Sequence, residues 1–484
     1  MATASNRGQE DTTEKSNDAP NQVAPQPSSQ PQDEFKEGGY GWVVILGVFI
    51  LNAHTWGLNS SYSVFLAYYL RTGTFGTSQL GYAFVGGLSI SIALLASPLA
   101  TTLVGWKRCG TQWTIFLGVI FETIGFIGSS FASKLWHLIL SQGVSFGLGM
   151  GLCFVASASV PPQWFVKRRS FANSIAASGS GFGGLCYSLA TNAMITNIGL
   201  PWAFRILAII CFVVNSVAAY LIRDRNAAIG SVHVAFNWGL FKRLPFLLLQ
   251  AWMVLSLIAY IILVFSIVDY SQSVGLTASQ ASLVGALFNL SQGLGRPAIG
   301  LSSDSVGRLN IAQLSTLFCG LLCLFFWIFG TKTFAACIVF ALLSGSVAGV
   351  MWATVAPLTA EVVGLALIPS ALSMTWLVLV LPATFAEVIA VSLRRPGEGG
   401  YIRVQLFTAF LYLGAFVFGW ALRAWKVWEL EQVRLEKEER ELAIRDEGVL
   451  SAALETQSHN SDPRPQPARR PFSIVKGLWV IERV

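Results

Sequence analysis

Charge is scarce in this chain. Only 12% of its 484 residues are Asp, Glu, Lys or Arg, where a soluble domain usually carries about 25%. That shortfall excludes a protein that meets water over most of its surface. Histidine is rarer still, with four in all, and the seven cysteines (Cys109, Cys153, Cys186, Cys211, Cys319, Cys323 and Cys337) contain no C-x-x-C pair. A metal centre is therefore not expected, and the cysteines read as small packing residues. H-E-x-x-H, G-x-S-x-G and paired-aspartate metal motifs are missing as well. An enzyme is not expected, and neither is a cofactor. The formal net charge of +7 sits mainly in loops and tails, where it sets orientation and meets anionic lipid, so no nucleic-acid partner is expected.

What the chain has instead is apolar length. Hydrophobic residues make up 54% of it, in twelve stretches near 42–68, 79–103, 112–131, 135–158, 170–195, 202–222, 246–270, 279–301, 311–330, 335–358, 369–392 and 403–422. A bilayer is crossed by about 20 apolar residues, and in lipid each segment must satisfy its own backbone, which favours helices. The expectation is an all-α membrane protein of twelve transmembrane helices in two six-helix halves, 37–222 and 246–422. The polar stretch 223–245, with Arg223, Asp224, Arg225, Lys242 and Arg243, is the expected linker. Residues 1–36 are polar, lack an apolar core and are expected to be a disordered tail with no cleavable signal. The tail 423–484 is expected to be partly helical, because 423–447 is charged with acid and base at helical spacing.

Lys and Arg concentrate in alternate breaks: Lys107 and Arg108, Lys167 to Arg169, the linker, and Arg308. This places both termini on the cytoplasmic side, with the plasma membrane as the expected location. Arg394, Arg395 and Arg403 dissent, since they fall in an outer loop. Glycine clusters in the fourth, fifth and eighth stretches allow close helix contact, either as static packing or as surfaces that slide.

The sharpest local pattern is Gly300-x-x-x-Asp304-x-x-Gly307-Arg308. Gly300 allows close helix contact, Gly307 a tight turn, and Asp304 can pair with Arg308 or cap a helix N-terminus. Such a cluster can latch one state of a rocking protein. The pattern resembles the cytoplasmic-loop signature of the major facilitator superfamily. A faded copy without the aspartate follows Pro98 and ends in Lys107 and Arg108, which suggests duplicated, pseudo-symmetric halves. Glu37-Gly-Gly-Tyr-Gly-Trp42 and Trp164-Phe-Val-Lys-Arg-Arg-Ser-Phe-Ala resemble the hallmarks of the monocarboxylate porter family, and Leu51 to Tyr62 is similar to its fungal branch. The resemblance covers about residues 37–422 and implies a solute carrier with a cavity lined by helices one, four, five, seven, eight, ten and eleven.

The departures from that family are specific. Its animal lactate carriers place a lysine in helix one and Asp-x-x-x-Arg-Pro in helix eight; in register, those positions are Ser60 and Gln292 here, and only Arg296-Pro297 remains. The lactate mechanism does not carry over, and the expectation shifts from short acids toward a larger metabolite.

Strongly polar groups inside spans are costly and tend to be functional. Arg296 matches the family's substrate-facing arginine and can grip a carboxylate with two donors, or else pair with Asp304 or reach the surface. His54 could bind an anion, relay a proton or simply pack. Asn52, Asn59 and Ser60 on helix one, and Asn289 and Gln292 on helix eight, could line a polar cavity or join helices. Glu122 and Glu387 are, with His54, the candidate proton carriers, or they pair with neighbouring helices. Arg205 reads as an interface anchor and Asp269 as a solvated residue. The expected function is secondary active transport of a small organic solute by alternating access, the proton left open. The cargo is a monocarboxylate-like acid or a larger fungal metabolite; a non-transporting nutrient sensor and a riboflavin-type vitamin carrier are the alternatives. The expected partners are that solute and membrane lipid; the oligomeric state is not readable.

Overall fold

The computed structural model describes residues 38–75, 79–395 and 400–454. The expected N-terminal tail, 1–36, and the end of the C-terminal tail, beyond 454, lie outside them. Twelve span-length helical segments follow one another. The first is broken into Tyr40–His54, Trp56–Ser60 and Tyr62–Thr72, and the second into Gln79–Leu95 and Ser97–Gly105. The third is Gly110–Ser130 and the fourth runs over Leu135–Trp164 with a π-helical stretch at Ile139–Ser145. The fifth is Arg169–Ile198 and the sixth Leu200–Leu221. After the linker come Leu244–Ser273, Ala278–Val306, Arg308–Gly330, Phe334–Val363 (broken at Gly349), Ile368–Leu393 and Ile402–Leu454.

Ten of these, among the described residues, are long and apolar enough to cross a membrane. The fifth and eighth spans fall outside that group, and their burial supplies the reason. They cross each other at the meeting of the first six spans with the second six, where small and polar residues replace large apolar ones. A methyl built on Gly181 would lie 2.6 Å from the Gly293 nitrogen and 2.8 Å from its Cα, and one on Gly300 would collide with the Ser174 side chain. Gly181→Val should destabilise the protein by about 1–3 kcal/mol, as overpacking of tight contacts does. A thermal melt of the purified protein checks this. Gly87→Ala is the control, because nothing lies within 4 Å of its would-be methyl.

Two sequence-based boundaries change. The eighth helix runs to Val306, so Gly300 and Asp304 lie on it and only Gly307, with φ 121°, makes the turn. The twelfth helix does not stop at 422 but continues to Leu454, and past the span Lys426 donates to the Glu361 carbonyl at 3.1 Å. The linker also docks at this end. Val232 N–H donates to Ala366 O at 2.8 Å, Val234 N–H to Ser370 Oγ at 2.9 Å, and Ser370 Oγ–H to Val232 O at 2.7 Å.

Arg205 packs over the Phe131 and Trp202 rings at 5.2 and 5.0 Å, as an aromatic-belt anchor would. Asp269 is half exposed but not merely solvated. Arg394 reaches it at 2.5 Å, and Tyr401 also donates to it. The dissenting Arg394 thus has a local counter-charge.

Candidate transport cavity and cross-half latch

A cavity of about 740 Å³ lies between the two sets of six spans. Its lining comes from spans one, two, four, five, seven, eight, ten and eleven. Span two, through Gly86, Gly87, Ile90 and Leu94, adds to the expected set. The lining reaches Thr196, Gln272 and Ala278 at the tips away from the linker. The cavity therefore opens at that end and is closed at the linker end.

Among the described residues, Arg296 is the one cation lining the cavity and Glu387 the one carboxyl group. Arg296 is only 4% exposed. One terminal nitrogen donates to Ala177 O at 2.7 Å and Ser180 Oγ at 2.5 Å, and the other to Gln292 Oε1 at 2.9 Å. Its Nε has no acceptor, and no carboxylate pairs with it among the described residues. Pairing with Asp304 does not occur. Burying a charge without a counter-charge is expensive, and here only neutral acceptors offset it among the described residues.

Gln292 is not among the residues lining the cavity; its side chain is bonded to its neighbours. Besides holding Arg296, its Oε1 accepts from Tyr260 Oη at 2.8 Å and its Nε2 donates to Asn289 Oδ1 at 3.2 Å. Asn289, Asn52, Asn59 and Ser60 all line the cavity. Asn52 also donates to Ala176 O at 3.0 Å, and Asn59 Oδ1 accepts from Ser89 Oγ at 2.8 Å.

His54 and Glu122 are not cavity residues. His54 sits just before the break at Thr55; its Nδ1 lies 2.8 Å from Ile50 O and its ring meets Tyr187 edge-on at 5.5 Å. These are the contacts of the packing alternative that the sequence leaves open for it. Glu122 is fully buried within the first six spans and accepts from Asn215 Nδ2 of the sixth span at 2.9 Å. This is the neighbouring-helix pairing the sequence allowed for.

At the linker end, Asp304 reaches from the eighth span to the start of the fifth. Its two oxygens accept the backbone N–H of Ser170 at 3.0 Å and of Phe171 at 2.8 Å. A carboxylate on the free amides of a helix N-terminus is favoured by charge and dipole together. Arg308 extends the contact, lying 3.4 Å from Asp304 and 2.8 Å from Glu361 and donating to Val166 O at 3.0 Å. The two sequence alternatives for Asp304, pairing and capping, are both realised. The Glu37–Trp42 and Trp164–Ala172 motifs also meet: the Tyr40 and Trp164 rings are 5.9 Å apart and those of Trp42 and Phe165 4.8 Å.

Sequence reasoning missed the aromatic floor of the cavity. Trp56, Phe154, Tyr260, Trp352 and Trp376 come from five different spans. In the chain each looks like one more apolar residue, and nothing in spacing brings them together.

A two-part helical bundle around a central cavity, closed at one end by cross-half contacts, defines a secondary transporter. The chain belongs to the Major Facilitator Superfamily, whose sequence family matches residues 44–386. It is similar to the probable transporter MCH2 of Saccharomyces cerevisiae, 33% identical over 398 residues covering 81% of this chain and 84% of the relative. It is also similar to the fujikurins efflux protein of Gibberella fujikuroi, 25% identical over 382 residues, or 78% and 81% of the two chains. In fold it resembles the solved major facilitator transporter FucP in its outward conformation, with a TM-score of 0.59 and 13% identity over 79% of this chain and 99% of FucP. The protein is a multi-pass membrane transporter.

Proposed function

We propose that this transporter carries an organic anion, a monocarboxylate-type acid or a larger fungal metabolite, with Arg296 as the anion's anchor. The observation that carries this reading is a guanidinium buried on the cavity wall with no carboxylate partner among the described residues. Asn59, Ser60 and Asn289 would contact the polar parts of the solute, and Gln292 would hold the arginine in place. Asp304, Gly307 and Arg308, with Gly300 at the helix crossing, would latch the linker end shut while the opposite end is open. Alternating access would break that latch and form a counterpart at the other end. The monocarboxylate porter motifs and the similarity to MCH2 support this family assignment. The distribution of Lys and Arg supports cytoplasmic termini in the plasma membrane, so that the cavity opens outward here.

Glu387 is the remaining proton carrier. It lines the cavity and has no hydrogen-bond partner among the described residues, which leaves its carboxyl free to gain a proton with the incoming anion and lose it on the other side. That stoichiometry moves one negative and one positive charge together. Uptake of labelled organic acids into vesicles bearing the protein should be greater at about pH 5.5 than at about pH 7.5, since a higher outside proton concentration drives loading of a proton together with the anion. Glu387→Gln should bring the ratio of the two rates to near one. A ratio that stays at the wild-type value removes Glu387 from the coupling, and uptake of neutral solutes alone would overturn the anion reading.

A further inference from the structure

We infer that the cargo is a carboxylic acid joined to a flat conjugated ring. This rests on the anion reading above and adds the chemistry of the rest of the molecule. The floor beside Arg296 is built of aromatic rings from both halves. Trp352 is its hub. Trp376, wholly buried, stacks on Trp352 at 5.7 Å with 17° between planes. Trp56 lies 5.2 Å from Trp352 at 48°, and Phe154 stands edge-on to Trp56 at 5.2 Å and to Trp352 at 6.1 Å. Trp56, Phe154 and Trp352 are only partly buried and face the cavity.

The aromatic floor and the guanidinium share a wall. Tyr260 links them: its ring is 6.4 Å from Trp352, while its hydroxyl bonds the same Gln292 oxygen that holds Arg296. A carboxylate on Arg296 would therefore place its substituent over indole faces. Flat π-systems gain from such contact beyond the area they bury, and a saturated ring does not. The volume, about 740 Å³, lies in the range that holds drug-sized ligands and exceeds what a three-carbon acid needs. Because the rings come from spans one and four on one side and seven, ten and eleven on the other, separating the halves at the linker end would take the clamp apart and release the ring.

Equilibrium dialysis of the purified full-length protein against 2-naphthoate and its saturated analogue, decahydro-2-naphthoate, tests this at constant charge and carbon skeleton. The expected result is about tenfold tighter binding of the aromatic acid. Trp352→Leu should reduce that ratio to near one, and Trp352→Phe should keep part of it, which separates loss of the ring contact from loss of the fold. Equal affinity for both acids overturns the ring inference and leaves the anion reading standing. Binding of neither acid, with an unchanged thermal melt, overturns both. Binding of 2-naphthalenemethanol as tight as that of naphthoate overturns the anion reading while the ring contact survives.

Discussion

Arg296→Ala should reduce uptake of an anionic cargo by roughly 30-fold to several thousand-fold, because removing one side of a buried charge pair costs about 2–5 kcal/mol. The loss has two sources. The anion would be stripped of its one cation on the cavity wall, and Gln292 and Ser180 would lose the donor they now accept from. Arg296→Lys separates these. Lysine keeps the charge but not the planar fork, so it should recover part of the activity and not all of it. Protein amount and melting temperature in the same preparations exclude misfolding as the cause. Uptake of an organic acid by Arg296→Ala at the wild-type rate, with normal protein levels, removes Arg296 from the binding site.

Asp304→Ala should open the linker end. Two backbone amides at the start of the fifth span would lose a charged acceptor, and Arg308 would lose one of its two carboxylates. Hydrogen bonds to charged groups contribute about 1.5–3 kcal/mol, so a shift of about 2 kcal/mol, roughly 30-fold in the balance of closed to open, is expected. Hydrogen exchange of the native-length protein reads this directly. Exchange should quicken at Ser170 and Phe171, and also across the interface at the end of the tenth span around Glu361. Faster exchange confined to Ser170 and Phe171 would mark Asp304 as a helix cap and nothing more.

The membrane spans were legible because lipid imposes the same demand on each of them: about 20 residues of apolar helix. The fifth and eighth spans were legible for length but not for the reason they are less apolar, which is that each is the other's neighbour. The motif shows part of its chemistry in spacing alone, since Asp304 and Arg308 are four residues apart across the Gly307 turn. Its partners, Ser170, Phe171 and Val166, lie more than 130 residues away, and only folding joins them. His54 shows the packing alternative, because its imidazole lies against Ile50 O and the Tyr187 ring, contacts that sequence spacing does not reveal. Of the two alternatives for Gln292, lining a cavity or joining helices, its amide shows the second, bonded to Tyr260 of the seventh span and to Arg296 and Asn289 of its own. The aromatic floor could not be read at all, because one ring per span leaves no pattern.

Counterflow of a labelled organic acid across vesicles containing the purified protein tests carriage of an anion by alternating access most directly. Vesicles loaded with unlabelled acid should draw in the labelled acid transiently against its total gradient, and Arg296→Ala vesicles should not. Simple equilibration without overshoot would point to an open pore, and binding without entry would point to a sensor; either result contradicts an anion carrier built on Arg296.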